Sequence, residues 1–382
     1  MQILALPLLA ALLLCPAPIL AGDRPAQEMM TFIVPVSGFE ERLSSLENRQ
    51  AELYHTLEQK KEAGLAERLT ERLTISGLLE VEASGGTLEY ADGSSAAASD
   101  LTLATAQLGL GMTLNDAVGG NLIFLYEEGG DLEVDEAAID LEQGAFFARV
   151  GRHYLPFGAY HSHFISDPLT LALGETRATA LQLGYQPDLV TLSAFAFNGA
   201  ADQAGSEDHL SDWGVSLTVT PLAGLELGSS YLSDLADSNA ALLAAPYTRR
   251  VAGWSAFLHL AHGPLFFEAE YLAAVQAFAA GDLDGDGDDS GDRPQAWNLE
   301  CAFRPSENVE LALRYEGSDE FAGQPQQQYG ASVSWSPWQH TTLALEYLRG
   351  EFDQAFAGDL ASSSASPADS RNLITAQLAY EF

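Results

Sequence analysis

The chain has 382 residues, and its 54 Asp and Glu against 17 Lys and Arg give a formal net charge of −37. That charge excludes nucleic acid as a partner, because phosphate binding needs clustered cations. Beyond the N-terminus no stretch approaches the roughly 20 consecutive apolar residues of a membrane-crossing helix. The two cysteines, Cys15 and Cys301, leave no room for a disulfide framework or a cysteine-based zinc site.

Residues 1–21 read as an export signal, with an apolar stretch from Ile3 to Leu14 and a cleavage site after Ala21. Leu14 stands where lipidation of Cys15 would want a small residue. A periplasmic segment, residues 22–72, is expected to follow. Its linker carries Pro25 and Pro35, and a charged helix runs from Phe39 to about Leu73. In that helix Leu43, Leu46, Gln50, Leu53 and Leu57 form an a/d seam. Both lysines of the chain, Lys60 and Lys61, lie there. A lone amphipathic helix and a short trimerising coiled coil are equally good readings, so a homotrimer is one possible assembly.

From Thr74 the period becomes two. Ile75, Gly77, Leu79, Val81 and Ala83 oppose Ser76, Glu80 and Glu82. Val309, Leu311, Leu313 and Tyr315 oppose Glu310, Ala312, Arg314 and Glu316. One such strand says little, since soluble antiparallel sheets also alternate. Repetition says more: about sixteen such segments occur, an even number suited to a transmembrane barrel. Short links, such as Asn115–Gly120, Gln143–Gly144 and Gln186–Asp188, alternate with long ones, such as Ser84–Ser99, Arg152–Glu175, Ala279–Pro294 and Asp353–Ser370. Glu128–Glu133 is the one short member of the long set. Short periplasmic turns and long extracellular loops produce this alternation. The final strand, ITAQLAYEF, ends on Phe382, similar to the signal read by the machinery that assembles outer-membrane barrels. The sequence therefore predicts an all-β transmembrane barrel of about 16 antiparallel strands over residues 73–382, preceded by an α-helical segment. Its surroundings would be outer-membrane lipid and lipopolysaccharide.

Residues 73–382 hold 44 acidic and 10 basic side chains. The inward-facing candidates include Glu80, Glu82, Glu136, Asp140, Glu142, Glu268, Glu270, Glu300, Glu310 and Glu346. Carboxylates lining a pore favour cations. Arg149, Arg152, Arg177 and Arg314 either face these acids across the pore or neutralise neighbouring ones. The densest segment is AFFARVGRHYLPFGAYHSHFISDPLTLALGETR, where Tyr154, Phe157, Asp167 and Glu175 join the constriction candidates. His153, His161 and His163 occur close together, and His161 and His163 form an i,i+2 pair that could bind a metal, though no nearby Cys completes a set. In the loop 282–292, Asp282, Asp284, Asp286 and Asp288 follow the first half of a calcium-binding loop, but Arg293 stands where its closing Glu belongs. Calcium there is the one cofactor expectation; an acidic surface loop is the alternative.

The GRHYLPFG stretch followed by DPLTLALGETR resembles the LbtU-type siderophore porin family, which also combines a signal peptide, a coiled-coil-like helix and a barrel. The resemblance implies diffusion of ferric siderophores or other small solutes, with the third long loop folded into the barrel as the constriction. No catalytic motif is present, so an enzyme is not expected. A cation-preferring porin without a siderophore role is the alternative, followed by a barrel hydrolase or a structural anchor.

Overall fold

The computed structural model describes residues 72–204, 210–243, 246–357 and 366–382. The leader expected over residues 1–21 and the helix expected from residue 39 lie outside them. Sixteen strands run in chain order as β1 Leu73–Tyr90, β2 Ser95–Asn115, β3 Val118–Tyr126, β4 Glu133–Gln143, β5 Phe146–Tyr154, β6 Arg177–Tyr185, β7 Val190–Phe197 and β8 Asp212–Leu222. They continue as β9 Leu225–Leu232, β10 Gly253–His262, β11 Leu265–Ala274, β12 Gln295–Ser306, β13 Val309–Asp319, β14 Gln327–Trp338, β15 Thr341–Glu351 and β16 Ala368–Glu381. Each pairs antiparallel with its sequence neighbours, and β1 pairs with β16 to close the barrel. A closed sheet leaves no unpaired edge, which is what allows strands to cross lipid.

Burial is inverted relative to a water-soluble protein. The apolar set of each strand faces out: Ile75, Leu108, Leu313, Trp335 and Ile374 are all exposed, Leu313 at 65%. The polar set faces in, where Glu300, Glu316 and Glu346 are at most 1% exposed. Aromatic pairs band the exterior near both ends. Trp213–Tyr231, Trp254–Tyr271 and Tyr315–Tyr329 have ring centroids 5.2–5.4 Å apart toward the long-loop end. Phe146–Tyr185 and Tyr380–Phe382 lie toward the short turns. Aromatic girdles at both interfaces are the mark of a transmembrane barrel. At the closing seam Phe382 exchanges backbone hydrogen bonds with Gly77, and its ring covers that glycine so closely that a Cβ would lie 2.2 Å from it.

The turns alternate in length as the sequence predicts, with one correction. Ser84–Ser99 is not a loop: β1 and β2 stay paired up to Glu89↔Ser95, and only residues 91–94 turn, with Gly93 at φ +80°. Small residues such as Ala96, Ala97 and Ala98 continue the ladder without needing a core to cover them. The largest buried apolar cluster sits inside the barrel under the third long loop. It gathers Leu155, Phe157, Leu169 and Leu173 from that loop with Phe195, Phe197, Leu232, Leu235, Val251 and Leu272 from the wall and neighbouring loops.

Candidate functional site: a lumen loop fastened by wall carboxylates

The third long loop, residues 155–176, turns into the lumen. Pro156 cannot donate to a ladder and ends β5. Gly158 then takes φ +86°, left-handed backbone beside which the Tyr160 ring leaves no room for a Cβ. The turn aims two successive N–H groups at one wall carboxylate: Ala159 and Tyr160 donate to Glu270 of β11 at 2.8 and 3.0 Å. Pro168 sets the extended backbone before the short helix α1, Leu169–Gly174, whose Thr170 hydroxyl reaches the same Glu270 at 2.9 Å.

The pattern repeats along the wall. The His163 N–H donates to Glu300 of β12 at 2.7 Å, those of Ile165 and Ser166 to Glu346 of β15 at 2.9 and 3.0 Å, and that of Leu169 to Glu316 of β13 at 2.8 Å. Neutral groups add to this: the Gly158 N–H reaches the Ser230 hydroxyl at 3.0 Å, and the Ser332 hydroxyl donates to the His163 carbonyl at 2.9 Å. Each wall carboxylate thus supplies a charge-assisted acceptor to loop backbone that would otherwise be buried unpaired.

Arg314 binds both partners. Its fully buried guanidinium donates to Glu300 at 2.8 Å and to Glu316 at 3.3 Å, and it also holds the Ser162 hydroxyl and the Ser166 carbonyl of the loop. The Phe164 ring lies 4.2 Å from it. His163 bridges two more acids, with Nδ1 2.9 Å from Glu310 and Nε2 3.3 Å from Glu268. Burial alone would lower its pKa, but the hydrogen bonds it donates to Glu268 and Glu310 outweigh that and push it up to about 9. At neutral pH the ring is therefore a cation between two carboxylates.

These contacts are one-sided. Among the described residues, no hydrogen bond from the loop reaches the inner faces of β16 or β1–β4. There Glu80, Glu82, Gln107, Glu136 and Asp140 stay partly exposed, as do Arg149 of β5 and Gln182 of β6 beside them. Arg149 pairs with its cross-strand neighbour Asp140 at 2.6 Å, and Glu136 accepts from Asn121 at 2.8 Å. On the loop, Asp167 is exposed and within electrostatic reach of Glu82. Toward the short turns this half of the barrel opens into a cavity of about 900 Å³, lined by Thr74, Thr113, Asp140, Glu142, Arg149 and Gln182 among others.

The expected constriction residues therefore divide into groups. Glu268, Glu270, Glu310, Arg314 and Glu346 meet the loop rather than free lumen. Phe157 belongs to the apolar cluster beneath it. Arg152, Tyr154 and Arg177 fall elsewhere: by register they share the row of Val150 and Leu181, the lipid-side face. Tyr154 and Arg177 join there with Glu133 and Asp135 near the long-loop rim, with the Tyr154 hydroxyl 2.9 Å from Asp135. At a strand's end the alternation still holds, so Arg152 and Tyr154 point outward with Val150, and Arg177 with Leu181, which the loop's proximity disguises. Glu175 accepts from Asn239 at 2.8 Å at the loop's far end. Of the four candidate arginines, the two that face inward, Arg149 and Arg314, neutralise adjacent acids. Glu316 was missing from the candidates, although it shares a period-two row with Glu310 and Arg314.

Neither metal expectation forms as drawn. His161 lies against His259 in a tilted pair with centroids 5.0 Å apart, while His163 turns to its carboxylates. In the Asp-rich loop Asp282 caps Thr248 at 2.9 Å and Asp288 faces Ser290, so Asp284 and Asp286 gather with Asp292 instead.

A closed sixteen-strand barrel with an apolar, aromatic-banded exterior and a loop folded into its lumen is the architecture of outer-membrane porins. Solved structures agree at the level of fold. OprB of Pseudomonas putida superposes with a TM-score of 0.57 at 12% identity, covering 85% of this chain and 97% of that one. OmpT of Vibrio cholerae, an outer-membrane protein, gives 0.53 at 13% identity over 81% and 97%. No family model matches the chain. In sequence it is similar to a UPF0422 protein of Coxiella burnetii, 27% identical over 361 residues that cover 85% of this chain and 76% of the relative. A UPF0422 protein of Legionella pneumophila strain Paris is 23% identical over 85% and 67%.

Proposed function

We propose that the chain is a passive outer-membrane channel for small neutral or cationic solutes. The path runs between the third long loop and the inner faces of β16 and β1–β4. The observation that carries this reading is the one-sided fastening of the loop: carboxylates of β11–β15 take its backbone N–H groups, and Glu80, Glu82 and Asp167 remain to face solute. Carboxylates left in a narrow polar passage favour cations. The excess is smaller than the residue count suggests, since Glu270, Glu300, Glu316 and Glu346 are buried and partnered.

The resemblance of residues 151–177 to siderophore porins extends the reading to ferric siderophores, and the charge of the passage restricts these to neutral or cationic chelates. Reversal potentials in planar bilayers under a salt gradient test the channel. The expected result is cation preference that weakens when Glu80, Glu82 and Asp167 are changed to amides; absence of conductance or anion preference contradicts it. Uptake of a cationic or neutral ferric chelate by a deletion strain tests the cargo separately.

A further inference from the structure

Three carboxylates that the channel leaves unused meet at the long-loop end of the barrel. Asp212 opens β8, and Asp234 and Asp237 lie at a 3-10 turn, Leu235–Asp237, that follows β9. All three are buried, and one oxygen of each lies within 4.8 Å of the others. Three carboxylates removed from water need compensating charge. Among the described residues one guanidinium supplies it: Arg250 places Nη1 2.8 Å from Asp212 and Nε 3.9 Å from Asp234. The remaining donors are neutral. The Tyr247 hydroxyl and the Ala236 N–H serve Asp234, the Gly199 N–H serves Asp212, and the Ala201 N–H serves Asp237 Oδ1 at 3.0 Å.

A second observation is independent of that charge excess. Asp237 is only 7% exposed, and its Oδ2 is shut off from solvent with no hydrogen-bond partner. A buried acceptor left without a donor is costly, and every other group here is already arranged around the three acids. Carboxylate oxygens with no nitrogen or sulfur ligand suit a hard cation. Calcium tolerates irregular oxygen shells, whereas magnesium demands a near-ideal octahedron.

We propose that Asp212, Asp234 and Asp237 bind a divalent, oxygen-preferring cation, calcium above all, which ties the segment at Gly199–Ala201 to the turn at Asp234–Asp237. Its position, on the far side of the loop contacts from Glu80 and Glu82, makes it a clasp of the outer loops rather than part of the solute path.

The test uses the full chain folded in detergent and stripped with a chelator, with Tb³⁺ as probe. Tyr247, whose hydroxyl rests on Asp234, is placed to sensitise the ion's emission. The second acidic cluster, at Asp284, Asp286 and Asp292, is removed from consideration by working in an Asp284→Asn background. The expected result is saturable emission displaced by Ca²⁺, with affinity falling about tenfold or more in Asp237→Asn as the site loses a charged ligand. Calcium should also raise the melting temperature of the Asp284→Asn protein, a reading that does not depend on the Asp237 variant folding. Emission unchanged by Asp237→Asn, or no calcium effect on melting, overturns the proposal. So does an Asp237→Asn protein that melts higher than its parent while calcium does nothing to either, since the unpartnered oxygen then holds a proton.

Discussion

Glu346 Oε2 on β15 accepts the backbone N–H of Ser166 at 3.0 Å, a contact between the barrel wall and a loop 180 residues earlier in the chain. The same oxygen accepts from Ile165, while Oε1 has no partner. One carboxylate thus orders two peptide groups with a single atom. Glu346→Gln keeps an acceptor there and should conduct like the parent protein. Glu346→Ala leaves two half-buried donors without this acceptor, each costing at most about 1–3 kcal/mol, and should give larger, noisier single-channel currents. Equal noise in both variants would remove the fastening role.

Among the described residues Arg314 is the one cation in ion pairs with both Glu300 and Glu316. Arg314→Met leaves two buried carboxylates without it, a change of about 3–5 kcal/mol for a broken buried pair. The melting temperature should fall clearly. Adding Glu300→Gln and Glu316→Gln should restore part of the loss, because the cost lies in the unpaired charges. A triple variant no more stable than the single one contradicts this.

Gly158 and Gly93 both hold left-handed backbone, at φ +86° and +80°, but only Gly158 has a neighbour where its Cβ would go. Gly93→Ala should cost only the backbone strain, on the order of 1 kcal/mol. Gly158→Ala adds a collision with the Tyr160 ring, so it should shift the loop and alter conductance as well as stability. Thermal melts and bilayer recordings of the pair separate the two effects.

His163 sits in a loop, and its raised pKa of about 9 means that its stabilisation is complete below about 6.5, the ordinary histidine value, and fades as pH rises through 9. Channel noise should therefore grow between neutral pH and about 10. His163→Gln should be noisier at neutral pH and lose the alkaline step. A parent protein with flat noise across that interval would show that the ring does not hold the loop.

The barrel was legible because lipid imposes period two on every strand and turn length on every connection; Leu311, Leu313 and Tyr315 announce their face without any partner. The loop's entry into the lumen was legible only from its place as the third long loop and from the porin resemblance. Which acids face the passage was not, because Glu80 and Glu346 look alike in sequence and differ only in whether loop backbone lies opposite. Arg152 and Arg177 mislead for a related reason: proximity to the constriction loop in sequence does not fix the face of the sheet. The buried carboxylates Asp212, Asp234 and Asp237 lie in segments up to 25 residues apart with no spacing rule to join them.

The side of the loop on which solute passes is open to one direct measurement. In a background lacking both Cys15 and Cys301, single cysteines replace Glu82, on the free wall, and Ser230, behind the loop, and a charged thiol reagent is added during single-channel recording. Modification at Glu82→Cys should lower the conductance promptly, and Ser230→Cys should neither react nor change it. Block at Ser230→Cys with no effect at Glu82→Cys would place the path on the other side of the loop and contradict the account.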